Sequence, residues 1–168
     1  GAARSSEPGE GAAADDYESE VLNLLQQTSI RWEDIGGLED TKTAIKSAYG
    51  LALARKPAGV AIAAWRNVLL YGPPGTGKTL LAAATAGSLD ANFFNVKVSN
   101  LLSKYFGESS KLITALYAAA RKMSPAVIFL DEFESLTPPR GSGESGAERR
   151  IVSTLLAELD GLATKDDE

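Results

Sequence analysis

The sequence predicts an α/β fold: a parallel sheet flanked by helices. Three observations carry this expectation. Segments that read as strands, at Asn67–Tyr71, Phe93–Val98 and Ala126–Leu130, alternate with segments of helical periodicity. The first leads into the turn Gly72-Pro73-Pro74-Gly75-Thr76-Gly77-Lys78-Thr79 and then an alanine-rich run, Leu80 to Leu89, that reads as a helix. The third is apolar throughout, as a strand covered on both faces must be, and it ends in the paired acids Asp131-Glu132.

In chain order, residues 1–16 are Gly, Ala, Ser, Pro and acid. They have little to bury and read as disordered linker or a remnant of cloning. Tyr17, Val21, Leu24 and Leu25 recur at helical spacing, which predicts a short helix within an N-terminal helix or linker over 17–29. The pair Gly36-Gly37 marks a tight turn or a close backbone approach. Glu39 to Lys56 reads as a helix ended near Pro57, with Ala44, Ile45 and Ala48 on its apolar face. Residues 57–66 form a weakly patterned connector. Gly87 and Asp90 signal a turn before the second strand. Ser109 is placed to cap a helix running to Met123, which Pro125 stops. A Gly/Pro/Ser loop over 138–146 precedes a final helix at Glu148–Leu159.

The 168 residues suffice for one domain with a sizeable core. No apolar run approaches the roughly 20 residues that a membrane-spanning helix needs. A net charge of −5 argues against a dedicated nucleic-acid surface. The absence of cysteine excludes disulfides and thiolate metal sites and fits a reducing compartment, so a cytoplasmic location is expected. The absence of histidine leaves only a carboxylate, Lys or Tyr as a general base.

The turn at 72–79 fits G-x-x-x-x-G-K-[ST] between a strand and a helix, the pattern of a phosphate-binding loop. A triphosphate must approach bare backbone, so side chains are absent at Gly72, Gly75 and Gly77. The amides then face the anion at the positive end of a helix. The nucleotide-binding candidates here are Pro74, Gly75, Thr76, Gly77, Lys78, Thr79 and Leu80. Lys78 adds a cation over the β- and γ-phosphates, and Thr79 offers a hydroxyl to Mg²⁺. Asp131, at a strand end, is the second candidate for Mg²⁺. Glu132 is the residue to orient or deprotonate the attacking water. Together these make ATP and Mg the expected ligands of a P-loop NTPase.

Five segments resemble the AAA family of the AAA+ ATPases: Trp32 to Leu38, Gly72 to Thr79, Ser103 to Ser109, Asp131 to Leu136, and Glu148-Arg149-Arg150-Ile151-Val152 with Leu159-Asp160-Gly161-Leu162. Glu148 to Val152 is similar to the valosin-containing-protein type. Ser103-Lys104-Tyr105 and Arg121-Lys122-Met123 are similar to katanin, spastin and the ESCRT-disassembling ATPases. Phe133 and Glu134 stand where the family usually has Ile or Val and then Asp. The resemblance implies that residues 30–168 are the large subdomain, truncated before its fourth strand. It places Asp34, Ile35 and Gly36 against the adenine, and it makes Lys104, Tyr105 and Phe106 a pore loop that grips an extended protein substrate. By residue type alone, Tyr105 and Phe106 read as core aromatics. Residues 139–148 correspond to a second pore loop or, equally, a surface linker. The implied function is ATP hydrolysis in a ring, a hexamer, coupled to remodelling, unfolding or threading of proteins. A nucleic-acid AAA+ machine of the clamp-loader or replication-initiator type, or a regulatory subunit that binds nucleotide without turnover, are the alternatives. Residues 1–168 alone are expected to bind nucleotide weakly and to show no ATPase activity.

In the full-length protein, Lys78→Ala removes the cation of the motif and is expected to abolish tight ATP binding. Calorimetric titration checks this; unchanged affinity removes Lys78 from the site.

Overall fold

The computed structural model describes residues 10–53, 67–73, 75–105, 107–137 and 146–164. In chain order these form helix α1 (Glu10–Asn23), strand β1 (Leu25–Gln26), a 3₁₀ turn at Trp32–Asp34, α2 (Glu39–Leu53), α3 (Lys78–Ser88), β2 (Asn92–Lys97), α4 (Val98–Lys104), α5 (Ser109–Lys122), β3 (Ala126–Asp131), a 3₁₀ turn at Phe133–Leu136 and α6 (Gly146–Thr164). The connector at 57–66 and residues 138–145 lie outside the described residues. The chain divides into two compact units: Thr28–Asp90, and Gly1–Gln27 with Ala91–Glu168.

In the unit Thr28–Asp90, the segment before α2 is fastened to the flank of α3. Trp32 is buried with Ile35, Ile45, Leu81 and Ala84. Its indole N–H donates to Thr85 Oγ1 at 3.1 Å and its backbone N–H to Ser88 Oγ at 2.9 Å. Gly87 sits inside α3 rather than in the turn expected there. A Cβ at Gly87 would stand 2.0 Å from the Ile30 carbonyl oxygen, so glycine is required by a close approach of backbones. On α2, Ile45 and Ala48 are buried as their spacing predicts, whereas Ala44 is exposed. Glu39 and Asp40 occupy its first turn, where acids favour the helix dipole.

The strand expected at Asn67–Tyr71 does not form. Leu69 and Tyr71 are 75% and 90% exposed. A strand is held by a hydrogen-bonded neighbour, and none for this segment is present among the described residues.

The other unit holds a three-stranded sheet in the order β1-β2-β3. β2 and β3 are parallel, in register from Asn92 beside Ala126 to Lys97 beside Asp131. β1 runs antiparallel on the other side of β2, with Leu25 beside Phe94. The sheet is therefore mixed, not wholly parallel. Residues 25–26 were expected to be helical, but edge pairing with β2 gives their backbone hydrogen bonds that a helix ending at Asn23 does not. α1 also begins at Glu10, so residues 10–16 are helix rather than the disorder expected of them. Residues 1–9 lie outside the described residues.

The core of this unit joins Val21 of α1, Phe94 and Val96 of β2, Leu112, Ile113 and Leu116 of α5, and Ile151 and Leu155 of α6. α5 buries one stripe at 112, 113, 116, 117 and 120, and Arg121 and Lys122 suit its carboxyl end. Every residue of β3 is only half-buried. That is the signature of a strand paired on one edge, not of the central strand its composition suggests.

Two glycines are expected to respond oppositely to alanine. Gly87→Ala forces α3 and the Ile30 backbone apart and costs about 1–3 kcal/mol or more. Gly50→Ala, in the interior of α2 with open space around the new methyl, gains up to about 1 kcal/mol. Denaturant unfolding of both variants checks the signs.

Candidate functional site

The phosphate-loop residues belong to the unit Thr28–Asp90. Gly75 and Gly77 have φ of +78° and +88°. Space does not demand glycine at either position, but the left-handed backbone does. Gly77 is the N-cap of α3 and its carbonyl accepts the Leu81 N–H at 2.9 Å. The amides of Lys78, Thr79 and Leu80 thus precede the first bond along the helix, at its positive end. Lys78 Nζ lies over the loop and donates to Gly72 O at 2.7 Å and Pro73 O at 3.1 Å. Thr76 Oγ1 donates to Pro73 O at 2.8 Å, bracing the turn. Thr79 and Leu80 are exposed. Pro74 lies outside the described residues.

In the same unit, the Asp34 carboxylate accepts the Arg31 N–H at 2.8 Å and closes the 3₁₀ turn. Ile35 is buried and Gly36 exposed. Lys42 of α2 is only 5% exposed. Its ammonium donates to the Ile35 carbonyl and, at 3.0 Å, to Glu39 Oε1.

The acids lie in the other unit, at the carboxyl end of β3. Asp131 is the last residue of the strand, and its Oδ1 accepts the Glu132 N–H at 2.9 Å. Glu132 has φ +57°, a left-handed conformation uncommon outside glycine. The Glu132 carbonyl accepts the Ser135 N–H at 2.9 Å, and its side-chain Oε2 accepts the Ser99 hydroxyl. Backbone strain of this kind concentrates where a side chain must be aimed.

Tyr105 follows α4. It is half-buried and packs on the core, yet its hydroxyl donates to Glu20 of α1. Lys104 Nζ lies 3.5 Å from the same carboxylate and 5.2 Å from the Tyr105 ring centroid. The Tyr105 ring thus packs partly on the core, while its hydroxyl is tied to α1. Phe106 lies outside the described residues. Ser109, expected as a cap, instead turns its hydroxyl back to Leu101 O and Tyr105 O, each at 2.8 Å, and closes the corner between α4 and α5.

Residues 68–168 match the model of the "ATPase family associated with various cellular activities (AAA)". The chain belongs to the AAA family. It is 46% identical over 147 residues to a cell division cycle protein 48 homolog of Archaeoglobus fulgidus, covering 86% of this chain and 20% of that protein. It is 42% identical over 152 residues to the fidgetin-like protein 1 of Caenorhabditis briggsae, covering 90% of this chain and 25% of that protein. The crystal structure of the FIGL-1 AAA domain in complex with ADP aligns with a TM-score of 0.68 at 34% identity, over 96% of this chain and 52% of that one. The chain thus spans less than a third of either curated relative. Membership of this ATPase family implies nucleotide binding. No helix among the described residues is long and apolar enough to cross a membrane.

Three residues of this AAA chain that contact the candidate site escaped the sequence reading. Ser99 was hidden because its role depends on strand register. β2 and β3 end side by side, so Ser99, two residues past β2, meets Glu132, one residue past β3. Glu20 lies in a stretch that read as a short N-terminal helix or linker, with nothing to mark a partner for it. Lys42 lies in the segment that read as a helix, off the apolar residues singled out there.

The contact with Tyr105, and then Lys104, holds the Glu20 carboxyl below its usual value of 4.5. A depressed carboxyl contributes stability that is fully present above that value and is lost as pH falls through the lower, folded one. Wild type is therefore expected to melt slightly above Glu20→Gln at neutral pH. The difference should close only in acid, below about pH 4.5. Thermal melts of both proteins from pH 7 to pH 3 check this.

Proposed function

We propose that this chain is the ATP-binding and hydrolysing module of an AAA ATPase whose full-length ring remodels, unfolds or threads protein substrates. One observation carries the reading. The loop's left-handed glycines open directly into the amino end of α3, with Lys78 over the loop, inside a sequence of the AAA family. That arrangement suits a polyphosphate.

In this reading, Gly75, Thr76, Gly77, Lys78, Thr79 and Leu80, with Pro74, bind the phosphates. Asp34, Ile35 and Gly36 take the base. The Thr79 hydroxyl and the Asp131 carboxylate are hard oxygen donors, the set that suits Mg²⁺. When bound, that ion neutralises charge developing on the phosphates. Lys78 holds the γ-phosphate side by charge. Glu132 accepts the proton of the attacking water or orients it, with Ser99 fixing its carboxylate.

Lys104 and Tyr105, with Phe106, form the substrate-gripping loop of this reading. The protein acts as a homo-oligomer, a hexamer in full length, with residues 30–168 as its large subdomain. The cysteine-free sequence suits a cytoplasmic setting.

Glu132→Gln in the full-length protein is expected to bind nucleotide as wild type does and to lose turnover by roughly 10²–10⁴-fold. Equilibrium binding and steady-state phosphate release separate the two effects. Wild-type turnover would sink the role assigned to Glu132.

A further inference from the structure

We propose that Lys42 is a positioning residue for the base of the nucleotide: its ammonium holds the Ile35 carbonyl and so fixes the backbone at Ile35 and Gly36 that the base meets. The proposal rests on the assignment of Asp34, Ile35 and Gly36 to the base.

A lysine that is 5% exposed is unusual, since an ammonium is rarely withdrawn from water without partners. Here the burial has a purpose that packing does not supply. α2 begins directly after a backbone reversal in which Gly37 and Leu38 take φ of +75° and +58°. The reversal brings the first turn of α2 back beside the segment it follows. Lys42 N–H bonds to Leu38 O at 2.9 Å within that turn, and its ammonium reaches Ile35 O and Glu39 Oε1. Glu39 is largely exposed, so it balances the charge from the solvent side.

The consequence for Ile35 is specific. Its N–H donates to Trp32 O at 3.2 Å and its carbonyl accepts from Lys42, so both backbone groups are committed inside the protein. Gly36 follows, exposed, with nothing within 4 Å of the place a Cβ would occupy. Open backbone is therefore offered at Gly36, on a segment held from two sides. Trp32 bonds it to α3, the helix that grows out of the phosphate loop. Lys42 bonds it to α2. Without Lys42 the α3 attachment and the phosphate loop persist, but Ile35 and Gly36 lose their second anchor. Base-dependent affinity falls while base-independent affinity stays.

The test compares ADP with tripolyphosphate, which has no base, as calorimetric probes of the full-length protein. Lys42→Met keeps the aliphatic stem and removes the donor. It is expected to weaken ADP binding roughly 5- to 100-fold, to leave tripolyphosphate within about twofold of wild type, and to shrink the preference for ADP over GDP. Lys42→Arg, which keeps the charge and the donors, is expected to recover most of the ADP affinity. If Lys42→Met does not fold, Lys42→Gln carries the same two arms. Wild-type ADP affinity in the folded variant would overturn the proposal, as would an equal loss of both ligands, which marks a residue that only maintains the fold. Wild type binding ADP no more tightly than tripolyphosphate would overturn the base assignment itself, and the proposal with it.

Discussion

The parallel register of β2 and β3 governs the larger unit. Pairing from Asn92–Ala126 to Lys97–Asp131 brings both strands to an end at the same edge. Parallel strands cannot be joined by a tight turn, so the chain must cross over, and α4 and α5 are that crossover. The same register sets Ser99 within reach of Glu132. At the corner between the two crossover helices the Ser109 hydroxyl adds a second donor to the Leu101 and Tyr105 carbonyls, which already accept backbone N–H groups. A one-residue slip would turn Phe94 and Val96 out of the core and move the acids off their place.

The smaller unit depends in a similar way on α3, which serves at two places. Its amino end follows a backbone that only glycine adopts without strain, and this leaves amides facing outward. Its flank receives Trp32, which shares a cluster with Ile35, Leu81 and Ala84. A large aromatic with its indole N–H satisfied contributes several kcal/mol through burial. The apolar attachment fixes the segment, and the polar bonds at Thr85 and Ser88 fix its register.

Most of this was legible where the signal is local. The phosphate loop, the helix after it and the two acids follow from spacing and residue type. What escaped was decided by partners distant in sequence. Asn67–Tyr71 has the composition of a strand, but composition supplies no neighbour. Leu25 fits the helical spacing of Tyr17 and Val21, yet it pairs with Phe94 because the edge of β2 offers hydrogen bonds there. Gly87 looks like a turn former, and its real constraint is a carbonyl more than fifty residues earlier. Ser99, Glu20 and Lys42 are ordinary polar residues in the sequence. Only the fold shows which carboxylate or carbonyl each one meets.

The antiparallel pairing of β1 with β2 also says something about the order of events when this chain folds. Gln26 and Asn95 touch across 69 positions, and the whole smaller unit lies between them. It is in effect an insertion within the larger one. A ribosome must therefore release the smaller unit in full before β1 can find its partner. Until then α1 waits with Val21 and its apolar neighbours uncovered. Closing so long a loop in an unfolded chain is entropically costly, and an inserted stretch that has already collapsed shortens the distance to be closed.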